Sequence, residues 1–239
     1  MATFALMLLL SGLLMAQETA GMRAEIEGFQ IPRLETHGRQ AIRLWGTRFY
    51  VYEARAVDGG AALVDMQGKP VGPAISAQDW CLGGIQGTIR VGGATYNLSG
   101  TKGAAPVDCE RVIHARVEGN RYALARGPYG DGSAGGGLVP WRTLAVDPAW
   151  IPMGTLLFVP EAVGRKMPNG QRHDGYFFAA DTGAPIRGNH VDLFSGLSRE
   201  DALGITGSDP GRTFKAYVVE DAGLREGFRE LHAQWVFER

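Results

Sequence analysis

A chain of 239 residues holds one compact domain with an appendage, or two small domains. With 45% hydrophobic and 21% charged residues it has a soluble globular profile, and a net charge of −1 gives no broad basic field for nucleic acid or an anionic membrane surface. Glycine is the outlier: 35 Gly and 12 Pro spread along the chain favour tight turns and short strands over long helices.

The segment Ala2–Ala16 is almost wholly apolar, interrupted only by Thr3, Ser11 and Gly12. It is shorter than the roughly 20 residues of a transmembrane helix but has the length of a signal-peptide core. No Lys or Arg precedes it and no A-x-A site follows, so cleavage after Ala16 is the best expectation, with a buried first element of the mature fold as the alternative. No Cys follows the run, as a lipoprotein signal would require.

From Ala41 to Arg55, residues Ile42, Leu44, Trp45, Phe49, Val51 and Tyr52 predict a strand, or a hairpin broken at Gly46. Short strands are expected at Ala61–Asp65, Gly87–Val91, Arg111–Val117 and Arg121–Ala125, and the glycine-punctuated stretch between Gly59 and Asp108 shows no convincing helix. Cys81 and Cys109 could pair in an oxidising compartment or remain two buried thiols. The sequon Asn97-Leu98-Ser99 reads as accidental. After the glycine-rich loop Gly130–Gly137 come strand candidates at Thr143–Val146, Thr155–Val159, Gly175–Ala180, His190–Phe194 and Thr213–Val219. Two helices are expected, one capped by Ser198 and running through Leu203, the other from Leu224 with Leu224, Phe228, Leu231 and Trp235 on one face. Many short strands point to a closed β-barrel. The expected organisation is a signal peptide at 1–16, an N-terminal β region at 17–110, the main barrel at 111–222 and a C-terminal helix at 223–239.

Three aspartates occupy chemically suggestive places. Asp147 precedes Pro148, and Asp181 opens Asp181-Thr182-Gly183, so both can simply organise turns. Asp192 sits within His190-Val191-Asp192-Leu193-Phe194, between two apolar residues. Desolvation there raises a carboxyl pKa, as a general acid near neutral pH needs; a water-facing residue of a one-sided sheet is the plainer reading. Strand alternation puts His190 on the face of Asp192 and turns Val191 and Leu193 away. Asp181-Thr182-Gly183 also resembles an aspartic-protease turn, but no second copy exists to share the proton. Gly130–Gly137 lacks the Gly-Lys-Ser/Thr of a phosphate loop, the five His show no metal-ligand spacing, and no cofactor is implied.

Gly132-Ser133-Ala134-Gly135, Leu138 through Pro148, Ile151 through Thr155 and above all Asp181 through Phe194 resemble the catalytic domain of the membrane-bound lytic transglycosylase A family. Together they look like the three-aspartate (3D) domain over about residues 127–220. The resemblance implies a mainly β fold: a six-stranded double-psi β-barrel with small helices and a glycine-rich β insertion, residues 17–110 contributing one barrel strand. It implies cleavage of peptidoglycan glycan strands between N-acetylmuramic acid and N-acetylglucosamine, without water, by one acid matching Asp192. Residues matching Asp147 and Asp181 shape the site. Thr182, Gly183, Asn189, His190 and Trp141 are the expected substrate contacts, and Tyr129, Trp141 and Trp150 could stack on sugars or be core. A periplasmic or envelope location follows, with no nucleic acid, no stable membrane insertion after signal removal, and room for wall-remodelling partners. The alternative is a non-catalytic polysaccharide-binding barrel, because fold does not fix function.

Overall fold

Several of the strands are apolar on both faces, and such strands must be covered on both sides. The structure, a computed structural model, describes residues 20–235, so the apolar run Ala2–Ala16 and residues 236–239 lie outside the described residues. The chain runs through α1 (20–28), β1 (Ile42–Phe49), β2 (Tyr52–Glu53), β3 (Ala56–Ala61), α2 (Ala77–Gln86), β4 (Thr88–Val91), β5 (Ala94–Thr101), α3 (Cys109–Ile113) and β6 (Asn120–Leu124). It continues with β7 (Thr143–Ala145), β8 (Leu156–Phe158), β9 (Tyr176–Asp181), β10 (His190–Phe194), β11 (Phe214–Val218) and α4 (Ala222–Gln234).

The fold is mainly β, around a closed six-stranded barrel in the order β1-β10-β7-β9-β8-β11. The pairs β1–β10 and β7–β9 are parallel and the other four antiparallel. Leu44, Leu144, Leu157, Phe177, Ala179, Val191, Leu193, Phe214 and Ala216 make one buried cluster, the inward residues of all six strands. On the outside, Leu156, Phe158, Phe178 and Tyr217 pack against α1 and α4 through Ile26, Phe228 and Leu231. The expected face of α4 is thus the one that docks, and Asp221 caps the helix by accepting from Leu224 N at 2.9 Å.

The insertion carries a four-stranded sheet, β2-β4-β5-β6. Here the structure departs from several expectations. A helix, α2, stands where none was expected: Ser76 caps it, and Gly83 and Gly84, which look like breakers, let it lie against its neighbours. A Cβ on Gly83 would come within 2.5 Å of Ile89, and one on Gly84 within 2.7 Å of Val117. Arg111–Val117, expected as a strand, instead begins within α3, which Asp108 caps. Ala61–Asp65 forms only the end of β3 and an isolated bridge at Val64, while β5 runs through the sequon. Gly46 does not break β1: it lies inside the strand, where an added Cβ would sit 3.3 Å from the Phe214 ring. No helix forms after Ser198. Its hydroxyl instead accepts from Glu200 N, and Asp201 closes a turn on Gly204, whose φ is +65°.

Cys81 on α2 and Cys109 on α3 form a disulfide across 28 residues. Closing a loop of that length contributes about 3–4 kcal/mol in the chain-entropy model. The variant with both cysteines changed to Ala should lose stability of that order in denaturant unfolding, and an unchanged midpoint would contradict this.

A buried ion pair ties α1 to the barrel. Arg142, 1% exposed, donates from Nη1 to Asp174 Oδ1 at 2.5 Å and from Nη2 to Asp174 Oδ2 at 2.8 Å. It also reaches the carbonyls of Tyr176 and Ile26, with the Phe29 ring 3.9 Å from its guanidinium carbon. Asp174 Oδ2 accepts in turn from Ile31 N. Beside the pair, burial and the Arg142 charge push His173 down to about 3, so it stays neutral, its Nε2 donating to the Trp141 carbonyl and its Nδ1 accepting from Gly175 N. Removing one partner strands the other charge, so Asp174→Asn should cost about 3–5 kcal/mol. Thermal unfolding checks this, and a shift within error of wild type would contradict it.

Candidate active site

Register alone assembles the site. In the parallel β1–β10 pair Thr47 lies opposite Asp192, and in the antiparallel β10–β7 pair Asp192 lies opposite Ala145. The β7–β9 register then shifts, from Leu144 opposite Ala179 to Ala145 opposite Asp181. Without that irregularity Ala145 would face Ala180, and Asp181 would turn to the other side. With it, Thr47, Asp192, Ala145 and Asp181 form one row across four neighbouring strands. Val191 and Leu193 point into the barrel, so Asp192 and Asp181 project from its outer face, as alternation around Asp192 suggests.

That face forms one wall of a cleft of about 780 Å³, within the usual range of roughly 300–1,000 Å³ for small-molecule sites. The insertion supplies the opposite wall through Gln86, Thr88, Asn97, Arg116 and Asn120, and the glycine loop closes one side with Gly132 and Ser133. Two amides hold the walls together. Asn97 donates to the Asp131 carbonyl and accepts from Asp131 N, pinning the loop to β5, and Gln86 accepts from Tyr50 N.

Asp192 sits half-buried at the cleft, with Oδ1 accepting from the Thr47 hydroxyl at 2.8 Å. Burial pushes its carboxyl up to about 7, with the Asp181 charge adding to the rise while Thr47 and Arg48 oppose it. Asp181 is also raised by burial, tempered by hydrogen bonds from the Ser133 and Thr182 backbone; the Ser133 N–H donates to Oδ1 at 2.9 Å. Gly132 permits this approach, since a Cβ there would lie 2.6 Å from the Ala180 carbonyl.

The remaining expected residues divide. Thr182 and Gly183 line the cleft. His190 does not line it but is held behind Asp192, its Nε2 2.9 Å from Thr47 Oγ1 and its ring stacked on Trp45 at 3.7 Å between centroids. Asp147 lies outside the cleft lining and near the surface. Its Oδ1 accepts from Ala149 N and its Oδ2 from Gly188 N, which anchors the loop that delivers β10 and holds its carboxyl below the usual range. Asn189 donates to the Arg43 carbonyl on β1.

Trp141, expected as a sugar contact, is away from this cleft. It is buried with φ +62°, its N–H on Phe194 O, and it belongs to the barrel cluster and to a second pocket of about 420 Å³. Tyr129 lines that second pocket and stacks on Trp235. Trp150 is exposed and lines neither. Thr47 and Trp45 were missed by sequence reasoning, although their alternation with Phe49 along β1 marks one face. His173–Asp174 and His190 sit in separate networks, and no cluster of three or more His, Cys, Asp or Glu side chains able to hold a metal occurs among the described residues.

The 3D domain family matches residues 142–215, a stretch containing Asp147, Asp181 and Asp192. The crystal structure of a membrane-bound lytic murein transglycosylase from Agrobacterium tumefaciens shares its fold, with a TM-score of 0.53 at 14% identity over 78% of this chain and 78% of that one. Escherichia coli MltA with bound chitohexaose aligns with a TM-score of 0.49 at 17% identity over 74% of this chain and 71% of that one. No curated protein matches the sequence. Within the cleft, Asp181→Asn should lower the Asp192 pKa, because a like charge that opposes ionisation is removed. Carbon-13 NMR of the carboxyl checks the sign, and a pKa that rises or stays fixed would contradict it.

Proposed function

We propose that this protein is a peptidoglycan lytic transglycosylase and that Asp192 is its acid and base. The carrying observation is Asp192 itself: a carboxyl raised to about 7, on a cleft between barrel and insertion. The 3D-domain match and the fold shared with a lytic murein transglycosylase support the reading.

In the mechanism this implies, protonated Asp192 gives its proton to the glycosidic oxygen as that oxygen leaves N-acetylmuramic acid C1. The C6 hydroxyl of the same sugar then bonds to C1 and returns its proton to the carboxylate. The anhydro ring closes, the acid is regenerated, and no water is consumed. Glycosidases with paired carboxylates need a second residue to activate water or form a covalent bond; here that task falls to the substrate. Asp181 acts by raising the Asp192 pKa and holding the glycine loop, and Asp147 by anchoring the loop before β10. Thr182 and Gly183 are proposed glycan contacts on the cleft, and His190 and Asn189 supports behind it. The proposed location is the cell envelope. No helix among the described residues is long and apolar enough to cross a membrane, and a reporter fused to the first thirty residues should be active in the periplasm.

Asp192→Asn is nearly isosteric and should fold, yet release of anhydro-muropeptides should fall at least 10²-fold, the usual scale of general acid–base catalysis. Retention of more than about a tenth of the activity would falsify the assignment. If the barrel only binds polysaccharide, wild type will pull down with insoluble wall and release nothing.

The first step needs the protonated carboxyl, so kcat/KM should be highest below the Asp192 pKa and fall as pH rises through about 7. A rate that climbs across that range would contradict an acid at this position.

A further inference from the structure

The two walls of the cleft offer different chemistry. The barrel side presents the carboxyls of Asp192 and Asp181 and the Thr182 hydroxyl, with Ser133 of the glycine loop beside them. On the insertion side Ile85 and Leu98 line the cleft while remaining 53% and 42% exposed, and Arg116 lines it with them. Packing gathers these three around the end of α2. On one flank the Leu98 N–H donates to the Gly87 carbonyl at 2.7 Å, where Gly87 closes the helix with φ +76°. On the other flank Val117, the neighbour of Arg116, packs so closely that a Cβ on Gly84 would lie 2.7 Å from its methyl. Asn120 fixes that flank by donating from Nδ2 to the Gly84 carbonyl at 3.0 Å. Ile85 sits between the two.

Arg116 is exposed, and among the described residues it enters no ion pair or side-chain hydrogen bond. Among the described residues lining the cleft it is the one basic side chain. Glu118, two positions on, lines the cleft without pairing with it, and Asp131 is already engaged by Arg126 at 3.3 Å. Single exposed apolar side chains are ordinary, but two in one cleft beside an unpaired guanidinium make a surface for a ligand that is apolar and anionic at once. A bare glycan, rich in hydroxyls and without charge, is matched by the barrel side and not by this one.

We propose that the insertion wall binds the stem peptide of the substrate: Arg116 pairs a peptide carboxylate, and Ile85 and Leu98 cover its small apolar side chains, while the barrel wall holds the glycan. In peptidoglycan each stem peptide hangs from the lactyl group of an N-acetylmuramic acid, so a cleft that takes the strand must place the peptide on one side of it. The proposal rests on the proposed function and names the form of strand that the site takes, the peptide-bearing one. Removing the peptide leaves a carboxylate on the lactyl group itself, so stripped strands separate the two sources of negative charge.

The test is binding to the full chain carrying Asp192→Asn, which keeps the strands intact, followed by calorimetry. Three probes are compared: soluble strands bearing stem peptides with free carboxylates, the same strands stripped by an amidase, and a chito-oligosaccharide, which has no lactyl group. Peptide-bearing strands should bind more tightly than stripped ones, and the preference should shrink as salt rises from about 50 mM to about 500 mM. Arg116→Gln should cut the preference about fivefold, the scale of a partly exposed ion pair, and remove its salt dependence. Arg116→Lys should keep part of both. Ile85→Ser or Leu98→Ser should lower the preference and leave its salt dependence in place.

No preference in the parent, or a preference that Arg116→Gln leaves intact, overturns the proposal. So does a loss of equal size on stripped strands, which assigns the cation to the lactyl carboxylate, or on the chito-oligosaccharide, which makes Arg116 a structural residue of the wall. If the wild type cleaves no glycan but the preference depends on Arg116, the proposed function fails and the peptide wall stands. If the wild type releases anhydro-muropeptides while both kinds of strand bind alike, the function stands and the peptide wall falls.

Discussion

The site depends on one constraint, the register that lines up Thr47, Asp192, Ala145 and Asp181 across β1, β10, β7 and β9. Each of the four comes from a different strand, and each pairing is fixed by backbone hydrogen bonds and by inward neighbours that can face only the barrel interior. A slip of one residue at any pairing would exchange a carboxyl for Val191 or Ala180. The small side chain of Ala145 matters for the same reason, because a larger residue between the two aspartates would fill the space a substrate must enter. The register irregularity at Ala145 spoils regular pairing locally in order to aim Asp181, a common role for bulges beside functional sites.

The row alone would leave Asp192 facing water, where a carboxyl ionises near its ordinary value. The insertion and glycine loop raise a second wall and exclude solvent, so burial ranks first among the causes of the shift. The disulfide between α2 and α3, the Gln86 and Asn97 amides and the close approach of Gly132 to β9 are thus linked to the chemistry through desolvation. The Arg142–Asp174 pair lies away from the cleft, fastening α1 over the outer face of β9.

Much of this was legible in the residues. The apolar runs of β7 to β11 announce buried strands, and Asp192 between Val191 and Leu193 announces a desolvated carboxyl on the face of His190. The helix α2 was hidden because Gly83-Gly84 looks like a turn until the side chains of Ile89 and Val117 are seen to need that space. Ser198 and Asp201 offered capping groups that the backbone used for turns. Trp141 looked like a sugar platform because it adjoins the motif, but its left-handed backbone turns it into the core. Thr47 escaped notice because only long-range register, nearly 150 positions along the chain, makes it a partner of Asp192.

The claim that one carboxyl and the substrate's own hydroxyl suffice is tested most directly by digesting purified peptidoglycan in oxygen-18 water and analysing the fragments by mass spectrometry. The expected result is anhydro-muropeptides carrying no label, lost in the Asp192→Asn variant. Reducing-end fragments bearing the label would show that water is the nucleophile and contradict the account, and release of no fragment at all would leave the barrel a binding module.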